Sequence, residues 1–233
     1  MKEPIIEARH LYKTYKDGEN KTYALEDFSL SIFENEFVIV VGGSGFGKTT
    51  FLNALGGLDK VDQGEIIVNG DDVTKYNDKK LTLYRRNTVG FVFQFFNLLN
   101  DLTIYQNITL APNARDENKA LEILDKVGLL DKKDKYPNQL SGGQQQKASI
   151  ARALNKPTPI LLCDEPTGAL DEESGKNILH LLVDLHKEGK TIILVTHSKD
   201  IAKIGTRIIT IKDGRLLSDE SNPHPISVDE VEW

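Results

Sequence analysis

An α/β fold is predicted for this chain, with a mainly parallel core sheet, an N-terminal antiparallel β-subdomain and a helical subdomain insert. Three observations predict it. Phe37-Val38-Ile39-Val40-Val41 is a continuous apolar run, the mark of a strand buried on both faces, and a glycine-rich loop and a helical stretch follow at once. Residues 160–163, 174–187 and 191–195 read as strand, helix, strand, a spacing that fits crossovers in a parallel sheet. Ala120, Leu121, Ile123, Leu124 and Val127 recur at helical spacing with charge between them, which marks the insert.

Taken in order, residues 9–15 form a first strand, broken by the turn dipeptide Asp17-Gly18. Residues 24–33 form a second, in which Phe28, Leu30 and Ile32 alternate with Ser29 and Ser31. These two make the antiparallel sheet. After the buried strand 37–41, residues 49–55 are helical. Residues 65–68 are a strand ending in the turn Asn69-Gly70, and residues 89–93 are a short buried strand. The helical insert covers about 103–139. A helix begins after Ser141 and runs to Leu154, where Pro157 stops the pattern. Residues 208–211, Asp213-Gly214 and residues 215–217 close the chain with a hairpin. The tail from Glu220 is polar, holds two prolines and reads as loose.

The 233 residues are 39% hydrophobic, enough for a sizeable core. The formal net charge of −6 leans away from nucleic-acid binding. The lone Cys163 allows no intrachain disulfide and reads as a small buried hydrophobe. The N-terminus carries no apolar run of the signal-peptide kind, and the longest apolar stretches are strand-length. The chain is therefore expected to be soluble by itself, with any membrane role requiring a partner.

The chemistry lies in three segments. Gly42-Gly43-Ser44-Gly45-Phe46-Gly47-Lys48-Thr49 matches the phosphate-loop pattern and stands between a buried strand and a helix, the required context. Its glycines let backbone N–H groups face phosphate oxygens, and the helix adds its positive end. Lys48 is suited to the β- and γ-phosphates and Thr49 to Mg²⁺, with Thr50 next along the helix. Asp164 and Glu165 end an apolar strand, where open α/β sheets bind ligands. Asp164 suits Mg²⁺, directly or through water; Glu165 suits orienting or deprotonating an attacking water. Many strands end in acids, so this pattern alone is weak. Leu140-Ser141-Gly142-Gly143-Gln144 opens another helix, with Ser141 as N-cap and two glycines baring backbone N–H groups. It is either a second phosphate site, offered to a neighbour, or an ordinary capped helix.

The set of Gly42 to Thr49, Gln94, Leu140 to Gln144, Asp164-Glu165, Gly168-Ala169-Leu170-Asp171 and His197, in this order, resembles the nucleotide-binding domain of ABC ATPases, a P-loop NTPase cassette. The resemblance covers about residues 5–217, and Leu-Ser-Gly-Gly-Gln is its specific element. It implies one cassette over 1–233: core and β-subdomain in about 1–94 and 158–219, the helical subdomain in 95–157 and a tail in 220–233. It also implies roles. Tyr15 stacks on adenine; Gln94 meets Mg²⁺ and senses the partner. Ser141, Gly142, Gly143 and Gln144 contact the γ-phosphate held by a second subunit. Asp171 lies across the dimer interface, and His197 is the switch histidine on the γ-phosphate. His10, His180, His186 and His224 match no motif. Phe46 stands where a small residue is usual, and Lys147 where arginine is commoner; neither change removes a catalytic group.

Within the family, Gly168 and the stretches around residues 52–59 and 89–94 resemble the lipoprotein-release, macrolide-export and antimicrobial-peptide-resistance ATPases (LolD-, MacB- and BceA-like). That branch implies ATP and Mg²⁺ as ligands, a homodimer on ATP binding, and a separate permease with few transmembrane helices and a large extracytoplasmic domain. It places the chain at the cytoplasmic face of the membrane through that permease. The apolar cluster Phe95, Phe96, Leu98 and Leu99 reads as a docking groove, as subdomain core, or as both. The alternative is a soluble assembly ATPase of the iron–sulfur type, against which Gly168 argues. A small-molecule kinase lacks the Leu140–Gln144 element.

Overall fold

The structure is a computed structural model that describes residues 3–18, 20–110, 117–156 and 158–233. Its centre is a six-stranded sheet in the order β10-β9-β3-β8-β7-β6. The strands are β3 (Phe37–Val41), β6 (Val89–Val92), β7 (Ile160–Asp164), β8 (Thr191–Thr196), β9 (Arg207–Lys212) and β10 (Arg215–Ser221). All neighbouring pairs are parallel except the closing hairpin β9–β10.

The unbroken apolar runs have a direct physical cause. In β3, Phe37, Ile39 and Val41 point to one face and Val38 and Val40 to the other, and every one is buried. The first face, with Leu161, Cys163, Ile192 and Leu194, packs on α3 (Ile104–Thr109), α4 (Glu117–Lys126), α5 (Gly142–Leu154) and α6 (Glu172–Lys187). The second face, with Leu162, Ile193 and Val195, packs on α1 (Lys48–Leu55) and on a smaller antiparallel sheet. Helices of the insert therefore share one core with the large sheet. No helix among the described residues is long and apolar enough to cross a membrane.

The smaller sheet runs β2-β1-β4-β5, from β1 (Ile6–Asp17), β2 (Asn20–Ile32), β4 (Gln63–Val68) and β5 (Asp71–Asp72). Its first two strands are longer than alternation predicts. Bulges near residues 8–14 break the register, and the far arm of the hairpin pairs with exposed side chains on β2, so no hydrophobic signal marks it. Asn69 and Gly70 both adopt positive φ at the β4–β5 turn, as the dipeptide predicts. The helix α2 (Asp78–Asn87) was not expected: it buries only Leu81 and Tyr84, too few for a readable stripe. Pro157, expected to stop α5, and residues 111–116 of the insert lie outside the described residues.

The loose tail is corrected by the structure. Residues 228–230 form a 3-10 turn, closed by a capping box between Ser227 and Glu230. Val228 and Val231 are buried in the core cluster. Two valines three residues apart present one apolar face, a signal masked by the polar composition around them.

Candidate functional site

Strand register gathers the candidate residues at one edge. β3 and β8 pair as Val41 with Thr196, so the loop from Gly42 and the turn at His197 start side by side. β7 and β8 pair Asp164 with Val195, and β6 pairs Val92 with Cys163. Gly42, Gln94, Glu165 and His197 thus emerge together at the carboxyl ends of parallel strands, where open α/β sheets hold ligands.

The phosphate loop is tightly wound. Gly47 caps α1 at φ 93°, and a Cβ there would collide with the Ala24 carbonyl, so only glycine fits. Lys48 is buried, and its ammonium donates to the carbonyls of Gly42 and Gly43, each at 2.9 Å. Those bonds hold the cation in the bowl of the loop. Ser44 and Gly45 are exposed at its tip, with Gly45 at φ 79°. The Phe46 ring lies against Gly43 and packs partly on the core, which is how a bulky residue is accommodated in the loop.

Thr49 donates its hydroxyl to Asp164 Oδ1 at 3.0 Å. Burial raises the pKa of the Asp164 carboxyl above the usual range, the Thr49 hydroxyl opposes this, Glu165 adds to it and Lys48 lowers it. Two hard oxygen donors beside the phosphate bowl suit Mg²⁺. Among the described residues there is no group of three His, Cys, Asp or Glu that could form an all-protein cage.

Glu165 adopts φ 43°, an uncommon conformation for a non-glycine residue that the surroundings must hold. Its N–H donates to Val195 O at 2.9 Å, and its carbonyl accepts from Gly168 N at 3.0 Å. Its carboxylate Oε2 stands 3.2 Å from His197 Nδ1. Gln94 closes the group: a Cβ at Gly168 would stand 3.0 Å from Gln94 Nε2 and 3.2 Å from Glu165 Oε2. Both side chains therefore approach each other over a residue that has none.

The Ser141–Gln144 element forms a complete capping box. Gln144 N donates to Ser141 Oγ at 3.4 Å, and Ser141 N to Gln144 Oε1 at 3.1 Å. Gly142 faces Leu170 and Phe96, and Gly143 faces Ser174. Asp171 caps α6 by accepting from Ser174 N at 2.9 Å, and that bond lowers its carboxyl pKa. Tyr15 is half-exposed. Its hydroxyl donates to Asp59 at 2.5 Å, and the Lys13 ammonium sits 5.1 Å from its ring centroid. Burial first, then Asp59, raises the Tyr15 pKa, and Thr50 on α1 opposes this.

Two residues without a motif assignment knit the site together. Buried Gln146 donates to Phe93 O at 3.2 Å and Pro166 O at 2.8 Å, joining the loops of Gln94 and Glu165. Arg152 donates to the carbonyls of Phe96 and Asn97, the residues that turn the chain after Gln94 at positive φ. Their place on α5 is visible in the sequence; their targets are not. Cys163 is fully buried, and burial pushes its thiol pKa up. His180 meets Asp229, His10 meets Asp27, and His186 packs near Phe37, all apart from the motif cluster. Of the apolar cluster, Phe95 and Leu99 are exposed, whereas Phe96 is half-buried against Gly142 and Leu98 packs on the core.

Comparisons with known proteins converge. A family model described as ABC transporter matches residues 25–168. The chain is 45% identical over 221 residues to the "Macrolide export ATP-binding/permease protein MacB" of Aggregatibacter actinomycetemcomitans, covering 92% of this chain and 34% of that protein. It thus spans about a third of the length of such relatives. It is 43% identical to an "Uncharacterized ABC transporter ATP-binding protein" of Thermotoga maritima, over 91% of this chain and 93% of the relative. Among solved structures, the dimeric ATP-binding cassette MJ0796 bound to ADP and Pi superposes with TM-score 0.86 at 41% identity, covering 95% of this chain and all of that one.

Proposed function

The chain belongs to the ABC transporter family as an ATP-binding, ATP-hydrolysing cassette, and from that premise we propose that it works as a head-to-tail homodimer driving a separate membrane permease. The observation that carries the reading is the strand register, which supports a single catalytic edge holding Lys48, Thr49, Gln94, Asp164, Glu165 and His197.

Each residue has a part. Backbone N–H groups of residues 42–49 and the Lys48 ammonium cradle the phosphates, with Thr50 beside them. Thr49, Asp164 and Gln94 would hold Mg²⁺, which would neutralise phosphate charge when bound. Glu165 accepts a proton from water as the water oxygen bonds to the γ-phosphorus. The bond to the β,γ-bridging oxygen breaks, and ADP and phosphate result. His197 holds the Glu165 carboxylate and reaches the γ-phosphate. Tyr15 offers its ring to the adenine. Residues 141–144 serve the nucleotide of the second copy, with Asp171 beside that seam, a role supported by the likeness to a dimeric ATP-binding cassette. We divide the cassette into core and β-subdomain (1–94 and 158–219), helical subdomain (95–157) and tail (220–233).

A shared site has a kinetic signature. Specific ATPase activity should rise with protein concentration and level off once dimers dominate. A specific activity independent of dilution would remove the shared site.

The permease is proposed from the macrolide-export relatives, whose name joins ATP-binding and permease in one longer protein. Exposed Phe95 and Leu99 offer it an apolar contact beside the Gln94 loop. The cargo would be a peptide, drug or lipoprotein leaving the cytoplasmic membrane, with this chain on its cytoplasmic face. Affinity capture from native membranes with Mg-ATP should recover a permease with few transmembrane helices and a large external domain, and Phe95→Ser with Leu99→Ser should lose it. Recovery of soluble assembly proteins alone would overturn the transport role and leave the ATPase chemistry standing.

A further inference from the structure

The C-terminal segment ties together the two helices that follow the Glu165–His197 pair. The loop from Glu165 leads into α6, and the turn at His197-Ser198 leads into α7 (Lys199–Ala202). On the α7 side, the Asn222 amide donates to the carbonyls of Lys203 and Gly205, each at 2.9 Å, and Ile226 N donates to Lys203 O at 3.1 Å. On the α6 side, His180 Nε2 lies 3.0 Å from Asp229 Oδ1. Val228 and Val231 fill the shared core with Ile178 and Leu179 of α6 and Ile201 of α7.

Trp233 completes the crossing. Its indole rests on Gly175 in the first turn of α6, and a Cβ at that position would collide with the ring. The missing side chain is the ring's seat. From there Trp233 walls a cavity whose other sides include Glu165, Gly168, Leu170, His197 and Ile201. About half of Trp233 is exposed, although Val231, two residues before it, is buried.

We propose that residues 222–233 are a strap that fixes the spacing of the Glu165 and His197 loops, with Trp233 as its positioning residue. This rests on the reading of Glu165 as the residue that takes the proton from water. The need for a strap follows from the local geometry. Glu165 is held in a left-handed conformation, and its contact with His197 spans two separate loops, each carried by its own helix. The strand register and the Glu165 N to Val195 O bond fix where the two loops start. How the helices that follow them sit against each other is set by a segment bonded at the end of α7, packed on α6 and seated at the first turn of α6.

Two variants unseat the ring by different routes. Trp233→Ala removes it; Gly175→Ala keeps it and fills its seat. Trp233 is the only tryptophan of the chain, so its emission reports seating directly. In both variants kcat for ATP should fall roughly 10- to 100-fold, as a displacement of about 1 Å in a catalytic group produces. The KM for ATP should change less than about twofold, and the circular-dichroism melting midpoint should stay within a few degrees of the parent's. Gly175→Ala should also shift the emission to the red, and Trp233→Phe should recover most of kcat. Parental kcat in Trp233→Ala and Gly175→Ala, beside an inactive Glu165→Gln, would overturn the strap alone. A loss matched by unfolding, or shared equally by KM, would also overturn it. An active Glu165→Gln would overturn the reading of Glu165 and the strap with it.

Discussion

Glu165→Gln is expected to bind ATP and hydrolyse it roughly 100- to 10,000-fold more slowly, the range that loss of a general base gives. The substitution is close to isosteric. The backbone bonds from Glu165 N to Val195 O and from Gly168 N to Glu165 O are untouched, so the loop keeps its path. The amide can still meet His197 Nδ1, now 3.2 Å from the carboxylate. What disappears is the capacity to take a proton from water. With chemistry stalled and binding intact, the protein should accumulate as an ATP-bound dimer. Single-turnover hydrolysis and sedimentation velocity read the two effects separately. A turnover near the parent rate would sink the general-base assignment, and a variant that neither binds ATP nor dimerises would mean that Glu165 instead holds the loop together.

Lys48→Ala is expected to lose nucleotide binding. The ammonium is buried in the bowl of the phosphate loop and donates to the carbonyls of Gly42 and Gly43. An incoming phosphate is a better acceptor than either carbonyl, so the cation turns to it and gains charge-assisted bonds. Losing that interaction costs about 3 kcal/mol, roughly a 100-fold weakening. Alanine also leaves the Gly42 and Gly43 carbonyls facing the phosphates with no cation between them, which adds repulsion. Titration with a fluorescent ATP analogue measures the change. Affinity within a factor of about three of the parent's would show that backbone N–H groups bind the nucleotide without the lysine's help.

Much of the cassette was legible because its signals are local. β3, β7 and β8 carry apolar runs because each strand feeds two core clusters, one per face, and burial on both sides confines polar residues to the ends of β7 and β8. The helix from Gly142 begins where Ser141 and Gln144 close a capping box, which depends on spacing alone. Other features gave weak signals or none. α2 buries two side chains, and the outer arm of the β1–β2 hairpin buries none, so neither imposes a periodicity. Pairings such as Gln146 with Phe93 and Pro166, or Arg152 with Phe96 and Asn97, join residues tens of positions apart that share no pattern.

The sequence by itself determined the fold class, the phosphate loop, the acidic strand end and the order of the motifs, because each is written in residue types at fixed short spacing. Only the tertiary structure decided that Gln94 and Glu165 meet over Gly168 with His197 against Glu165, that Phe46 folds against Gly43, and that the tail is packed with Trp233 on Gly175. Those outcomes depend on the register of separate strands and on the absence of a side chain opposite another, and neither is encoded within any single stretch of chain.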